Sequence, residues 1–224
     1  MHTTDRPHGP RSEAARTSPF DRSLRAQNTR RVSHYADELT LAQARRLYFD
    51  ANGFGEGGYE AAWVKLKAGP LSIYFPNTKS RVRSVRLHDL HHVLTEYETT
   101  WTGESEIAAW EIGGGCGDHW AAWLLNFNAV AIGLAIAPRA VLRAFVRGRR
   151  GRNLYASELD PRVLAETLGV MRERLGLTER AHGTSGDLVR FAEVALVSIV
   201  VFAASAVLPL LLTVAAVLAF VTRR

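Results

Sequence analysis

The chain has 224 residues, with 28 Lys+Arg against 22 Asp+Glu for a net charge of +6, and 47% apolar against 22% charged residues. Such a length and apolar content suit one domain with a real core plus an appendage, and exclude a wholly disordered chain. A single cysteine, Cys116, excludes an internal disulfide framework and a zinc ribbon. The basic surplus comes without a helix-turn-helix, finger or ribonucleoprotein motif, so no nucleic acid is expected as a partner.

Residues 1–32 carry Pro7, Pro10, Pro19 and many arginines but few apolar side chains, and read as a disordered basic arm. They contain no apolar core of the kind a secretory signal needs. Residues 33–180 read as a mainly α, compact helical domain. A helix is expected over Tyr35–Asp50, followed by the glycine-rich loop Gly53–Gly58. The stretch Gly69–Pro76 alternates briefly and reads as a very short extended segment. Leu87–Tyr97 and Glu104–Ile112 follow as helices, the second stopped by Gly113–Gly115. Trp120–Ala137 is apolar except for Asn126 and Asn128, and reads as a buried or membrane-surface helix. Asp160-Pro161 supplies an N-cap and a first-turn proline, and Leu159, Val163, Leu164, Met171 and Leu175 keep helical spacing up to Gly176.

Residues 187–224 form the expected C-terminal membrane anchor. From Val194 to Val221 no charge occurs. As a helix that run would extend roughly 42 Å against roughly 30 Å of hydrocarbon. Pro209 lies in its middle, so the reading is one tilted, kinked transmembrane helix in preference to a hairpin returning to the same side.

The chemistry concentrates in His88-Asp89-Leu90-His91-His92 and Glu104. At about 100° per residue His88 and His92 share a helix face, with Asp89 on its flank. The eleven residues before Glu104 suffice to finish one helix, turn near Thr99–Gly103 and start another. Two imidazoles and one or two carboxylates, with the remainder left to water or substrate, form the ligand set of an open catalytic metal site. Spacing alone leaves a solvated histidine-rich face as the alternative. His91 points away from His88 and reads as a supporting or surface residue. His88, His91 and His92 also fit one histidine box of the membrane di-iron desaturases, but eight histidines in all do not supply the several boxes those enzymes need. The glycines around Cys116 lack the lysine and spacing of a phosphate loop.

His88-Asp89-x-x-His92, eleven residues and then Glu104 match the HDxxHx11E signature of the coenzyme Q biosynthesis protein 4 family. The chain resembles that family over roughly residues 35 to 177, including the Leu175-Gly176-Leu177 close of the body. It departs where the family often carries Gly-Tyr-Gly and this chain reads Glu96-Tyr97-Glu98, and in its terminal arm and span. The resemblance implies an α-helical, homodimeric membrane protein of ubiquinone biosynthesis. It also implies action on C1 of the prenylated head group, by decarboxylation coupled to hydroxylation, alongside other quinone-biosynthesis enzymes. It further implies His88, Asp89, His92 and Glu104 as metal ligands, for zinc (Zn2+) with iron (Fe2+) as the alternative. The second reading is a non-catalytic, lipid-binding scaffold that holds prenylated intermediates and partner enzymes at the bilayer. A third is a metal hydrolase of lipid phosphates. No catalytic acid or base is assigned.

Arg139, Arg143 and Arg147 recur every four residues, and no acid occurs between Asp118 and Glu158. Beside an apolar helix they suit anionic membrane lipid or a prenyl phosphate, against the plain alternative of a solvated basic face. The expected location is the cytoplasmic face of a bacterial inner membrane.

Overall fold

The computed structural model describes residues 34–68, 71–178 and 182–222. The expected arm 1–32 and the Gly69-Pro70 turn lie outside the described residues. Among those described, the chain is mainly α: α1 Leu41–Asn52, β1 Trp63–Ala68, β2 Leu71–Pro76, α2 Lys79–Thr95, α3 Trp101–Gly114, α4 Trp120–Ile136, α5 Pro138–Arg150, α6 Pro161–Ala165, α7 Leu168–Arg174 and α8 Ser185–Thr222.

Three threonines set the starts of the helices that matter for the site. Thr40 and Gln43 form a reciprocal capping box on α1, Thr78 accepts from the Arg81 N–H on α2, and Thr100 accepts from the Gly103 N–H on α3. The first cap moves the start of α1 from the expected Tyr35 to Leu41. The second lets α2 begin at Lys79, eight residues before the expected Leu87. The run from Lys79 to Arg86 is too polar for apolar periodicity to reveal it.

The extended segment at Leu71–Pro76 exists and pairs antiparallel with an unexpected partner, Trp63–Ala68, in a register that sets Trp63 opposite Pro76. The expected single helix after Asp160 is two short ones. Leu41 N–H donates to Glu166 O, Leu168 N–H donates to Leu39 O, and Thr40 bridges Thr167. These bonds to the chain entering α1 take the backbone groups a continuous helix would use.

α3 is the core helix, with Ile107, Ala108, Ala109 and Trp110 fully buried between α4 and α5. Its approach to α5 is so close that a Cβ at Gly148 would overlap the Trp110 carbonyl, and one at Gly113 the Phe145 carbonyl. α4 buries Ala121, Ala122, Asn126, Val130 and Gly133 and leaves Leu124, Leu125 and Ile136 exposed. α8 runs unbroken through Pro209 for 38 residues. Its stretch Ser185–Leu208, whose most apolar 18 residues have a mean hydropathy of 2.4, is long and apolar enough to cross a membrane. The backbone there is a single helix and not a hairpin.

Candidate metal centre

α2 and α3 meet at a turn of five residues, Glu96–Thr100, and this places the first turn of α3 against the last turns of α2. His88 and His92 project from one face of α2. Glu104 projects from the first turn of α3 and closes the gap between them. His88 Nε2 lies 3.2 Å from His92 Nε2. Glu104 Oε2 lies 3.4 Å from His88 Nε2, and Glu104 Oε1 lies 3.4 Å from His92 Nε2. Among the described residues these three form the one group whose ligand atoms all fall within 4.8 Å of one another.

The other nitrogen of each ring fixes what the facing nitrogens are. His92 Nδ1 is 2.8 Å from the Tyr97 carbonyl, which only accepts, so this nitrogen carries the proton. His88 Nδ1 is 2.9 Å from Glu111 Oε1 and donates to that carboxylate. In neutral rings both Nε2 atoms are then bare lone pairs, aimed at one another and at a carboxylate. Three acceptors converging without a donor call for a cation or a shared proton. Two nitrogens bound at about 2.0–2.1 Å to one tetrahedral ion stand about 3.3 Å apart, close to the separation found here. The residues fit a divalent metal, and the N–H···carboxylate and N–H···carbonyl contacts are the usual support of metal-bound histidine.

Charge follows the same geometry. Burial opposes protonation of His88, but the Glu111 and Glu104 carboxylates outweigh it and hold its pKa well above the ordinary imidazole value. Burial raises Glu104 and Glu111 in turn, yet hydrogen bonds and charge from His88, with His92 or His91, hold both below the usual carboxylate range.

Glu111 is the functional residue that the motif did not reveal. It is fully buried. Its Oε1 accepts from His88 and, at 2.6 Å, from His91 Nδ1, while its Oε2 accepts from Asn126 at 2.6 Å and the Tyr155 hydroxyl at 2.9 Å. It stands seven residues after Glu104, two turns along the same face of α3, and that spacing was the available signal. His91 is a supporting residue and is wholly buried. Its Nε2 accepts the Leu154 N–H, so its proton sits on Nδ1 and goes to Glu111.

Asp89 is not brought into the three-donor group. Its Oδ2 accepts the Tyr59 hydroxyl at 2.5 Å, and burial raises its pKa. Of the three arginines, Arg139 and Arg143 are exposed on α5. Arg147 donates to the Thr95 carbonyl and lies over the Tyr97 ring, beside the turn that carries the His92 partner.

The centre is accessible from one side. The Glu104 side chain is 38% and that of His88 21% exposed, against 1% for His92. A cavity of about 270 Å³ lined by Tyr35, Tyr48, His92, Tyr97 and Thr99 abuts it, with the Tyr48 ring stacked on His92. Comparison with family models, with curated proteins and with solved structures finds no match for the chain.

Proposed function

We propose that the chain is a membrane-associated metal protein of ubiquinone or related prenyl-quinone biosynthesis, acting on C1 of a prenylated head group. The observation that carries this reading is the open, three-donor site. His88, His92 and Glu104 converge, and Asp89, which would close a four-ligand structural site, is engaged with Tyr59. Three protein ligands with a free position form the catalytic arrangement. The HDxxHx11E spacing and a helix fit for a membrane direct the chemistry toward a lipid-borne quinone precursor.

A bound divalent cation, zinc or iron(II), supplies Lewis-acid stabilisation of charge on the ring carboxylate or on oxygen. The protein does the rest. Glu111 and the Tyr97 carbonyl hold the two imidazoles in the tautomer that presents Nε2. Glu104 sets the charge of the centre and is the most exposed of the three. Tyr48 shields His92 from water on its ring face. Arg139 and Arg143 face anionic headgroups at the cytoplasmic face of a bacterial inner membrane, where the partners are lipid, the other quinone-biosynthesis enzymes and a second copy of the chain.

The protein purified without chelator should carry about one divalent transition-metal ion per chain, and His88→Ala or His92→Ala should lose it. In cells carrying only Glu104→Gln, the prenylated, carboxylated precursor should accumulate at normal protein level and membrane attachment. Protein free of metal would defeat the centre. A normal quinone pool in the Glu104→Gln cells would defeat catalysis and leave the scaffold, which needs only the fold and the lipid surface.

A further inference from the structure

α8 does not leave the domain as a free stalk. Phe191, Val194, Ala195 and Val201 are half-buried and Ser198 is fully buried, at successive turns along one face turned to α4 and α5. Asn128 of α4 donates to the Ser205 hydroxyl at 3.3 Å, so the helices still lie side by side eleven residues into the apolar run. From Val194 to Ser205 that is roughly 16 Å of axis, about half the thickness of a hydrocarbon core. The remaining faces of this stretch are bare: Leu196, Val197, Ile199, Val200 and Phe202 are exposed. On the neighbouring helix Leu124, Leu125 and Ile136 are 43%, 39% and 51% exposed. Whatever covers the apolar flank of α8 at this level also meets α4.

We infer that the outer face of α4, with Leu124, Leu125 and Ile136, is a lipid-contacting surface continuous with α8, so the domain is bedded in acyl chains and not suspended above them. The inference rests on the membrane reading of α8 and goes beyond it. The occupant is argued from continuity with a helix whose length and hydropathy suit hydrocarbon, and from charge. α4 from Trp120 to Ile136 carries no ionisable side chain, and the first exposed cations, Arg139 and Arg143, stand just past its end, where headgroups would begin. Asn126, adjacent to Leu125, points inward to Glu111, which holds His88. One helix therefore separates the lipid surface from the metal centre.

The test uses the full chain with Cys116→Ala, reconstituted in phosphatidylcholine–phosphatidylglycerol vesicles. Single cysteines carrying a nitroxide replace Leu124, Leu125 or Ile136 on α4, Leu196 on α8, and Glu60 as a water-facing reference. Collision with oxygen, which concentrates in lipid, is compared with collision with a water-soluble nickel chelate. Labels on α4 are expected to match Leu196→Cys, with oxygen collision several-fold above nickel, while Glu60→Cys shows the reverse. Nickel collision on α4 equal to that of Glu60→Cys, with Leu196→Cys still in lipid, overturns this inference and leaves the anchor standing. If Leu196→Cys also reports water, the membrane reading itself falls. Dipolar broadening between labels on α4, with both collision rates low, assigns the face to a second copy of the chain and equally overturns the lipid assignment. The three α4 sites are exposed, so a misfolded variant at one is replaced by the other two.

Discussion

The Glu111 carboxylate receives two donors on each oxygen, and this makes it hard to replace. In Glu111→Gln the amide must turn its NH2 group toward either the His88–His91 pair or the Asn126–Tyr155 pair, and both already point protons at it. The variant should lose about 1–3 kcal/mol of stability. It should also hold its metal about 10–100-fold more weakly, because His88 is no longer fixed in the tautomer that offers Nε2. Competition with a chromogenic chelator measures the second effect. Unchanged affinity would show that His88 needs no orienting partner. The same charges give the metal-free protein a defined pH response. His88 has a raised pKa when folded, so its contribution is complete below the unfolded value of about 6.5 and is lost as pH rises through the folded value. Glu104 and Glu111 have depressed values, so theirs are complete above about 4.3 and are lost as pH falls. Metal-free protein should therefore melt highest between those limits and lower at pH 8, and a bound metal, which replaces the shared proton, should abolish the alkaline loss. A flat profile from pH 6 to 8 in the metal-free protein would contradict the shared proton. At this scale the convergence of His88, His92 and Glu104 was legible because His88 and His92 are one turn apart and a turn precedes Glu104, while the expected place of Asp89 among them was not met. Tyr59 was not, since nothing local connects it to Asp89 thirty residues on.

Helix boundaries were legible where side chains cap and illegible where the rest of the fold intervenes. Asp160 accepts from the Arg162 and Val163 N–H groups as its place before Pro161 implied. The break at Glu166–Thr167 depends on bonds to Leu39–Leu41, more than a hundred residues earlier, which no window along the chain contains. The same holds for the contact between α3 and α5. Gly113 looked like a helix stop, whereas it and Gly148 let two helices touch backbone to backbone, and Gly113 still belongs to α3. Gly148→Ala would press a methyl into the Trp110 carbonyl, which belongs to a rigid helix and cannot swing aside. A loss of about 1–3 kcal/mol or more is expected in thermal or denaturant unfolding. Metal affinity should fall with it, since Glu111 follows Trp110. Gly186→Ala is the control, because its methyl meets only an ordinary contact with Thr184 in a helical turn, and it should be neutral or slightly stabilising. Equal effects from the two substitutions would remove the close helix contact as the cause.

For the molecule as a whole, the apolar run from Val194 announces a helix long and apolar enough to cross a membrane, but not how that helix is joined to the domain. The join is at Asp187. Its carboxylate is buried, takes Arg149 at 2.7 Å and Arg150 at 2.6 Å from the end of α5, and accepts the Thr184 N–H and hydroxyl at the start of α8. The sequence presents these arginines as part of one basic stretch running from Arg139. The fold separates them, leaving Arg139 and Arg143 exposed and spending Arg149 and Arg150 on fixing the angle at which α8 departs. Phe145 against Phe191, with ring centroids 5.5 Å apart, extends the joint by one turn. Removing the carboxylate leaves two arginines with solvent access and takes away the return half of the cap it shares with Thr184, while the apolar run beyond is unaltered. Asp187→Ala should therefore stay in the membrane fraction and keep its metal. The amides of Leu188–Phe191 should exchange hydrogen markedly faster than in the parent protein, since the first turn frays once half of its reciprocal cap and its two cations are gone. Exchange there equal to that of the parent would mean that contact between α4 and α8 alone fixes the helix. Loss of the protein from the membrane would mean that insertion depends on the docked angle, and that the apolar run does not act as an anchor in its own right.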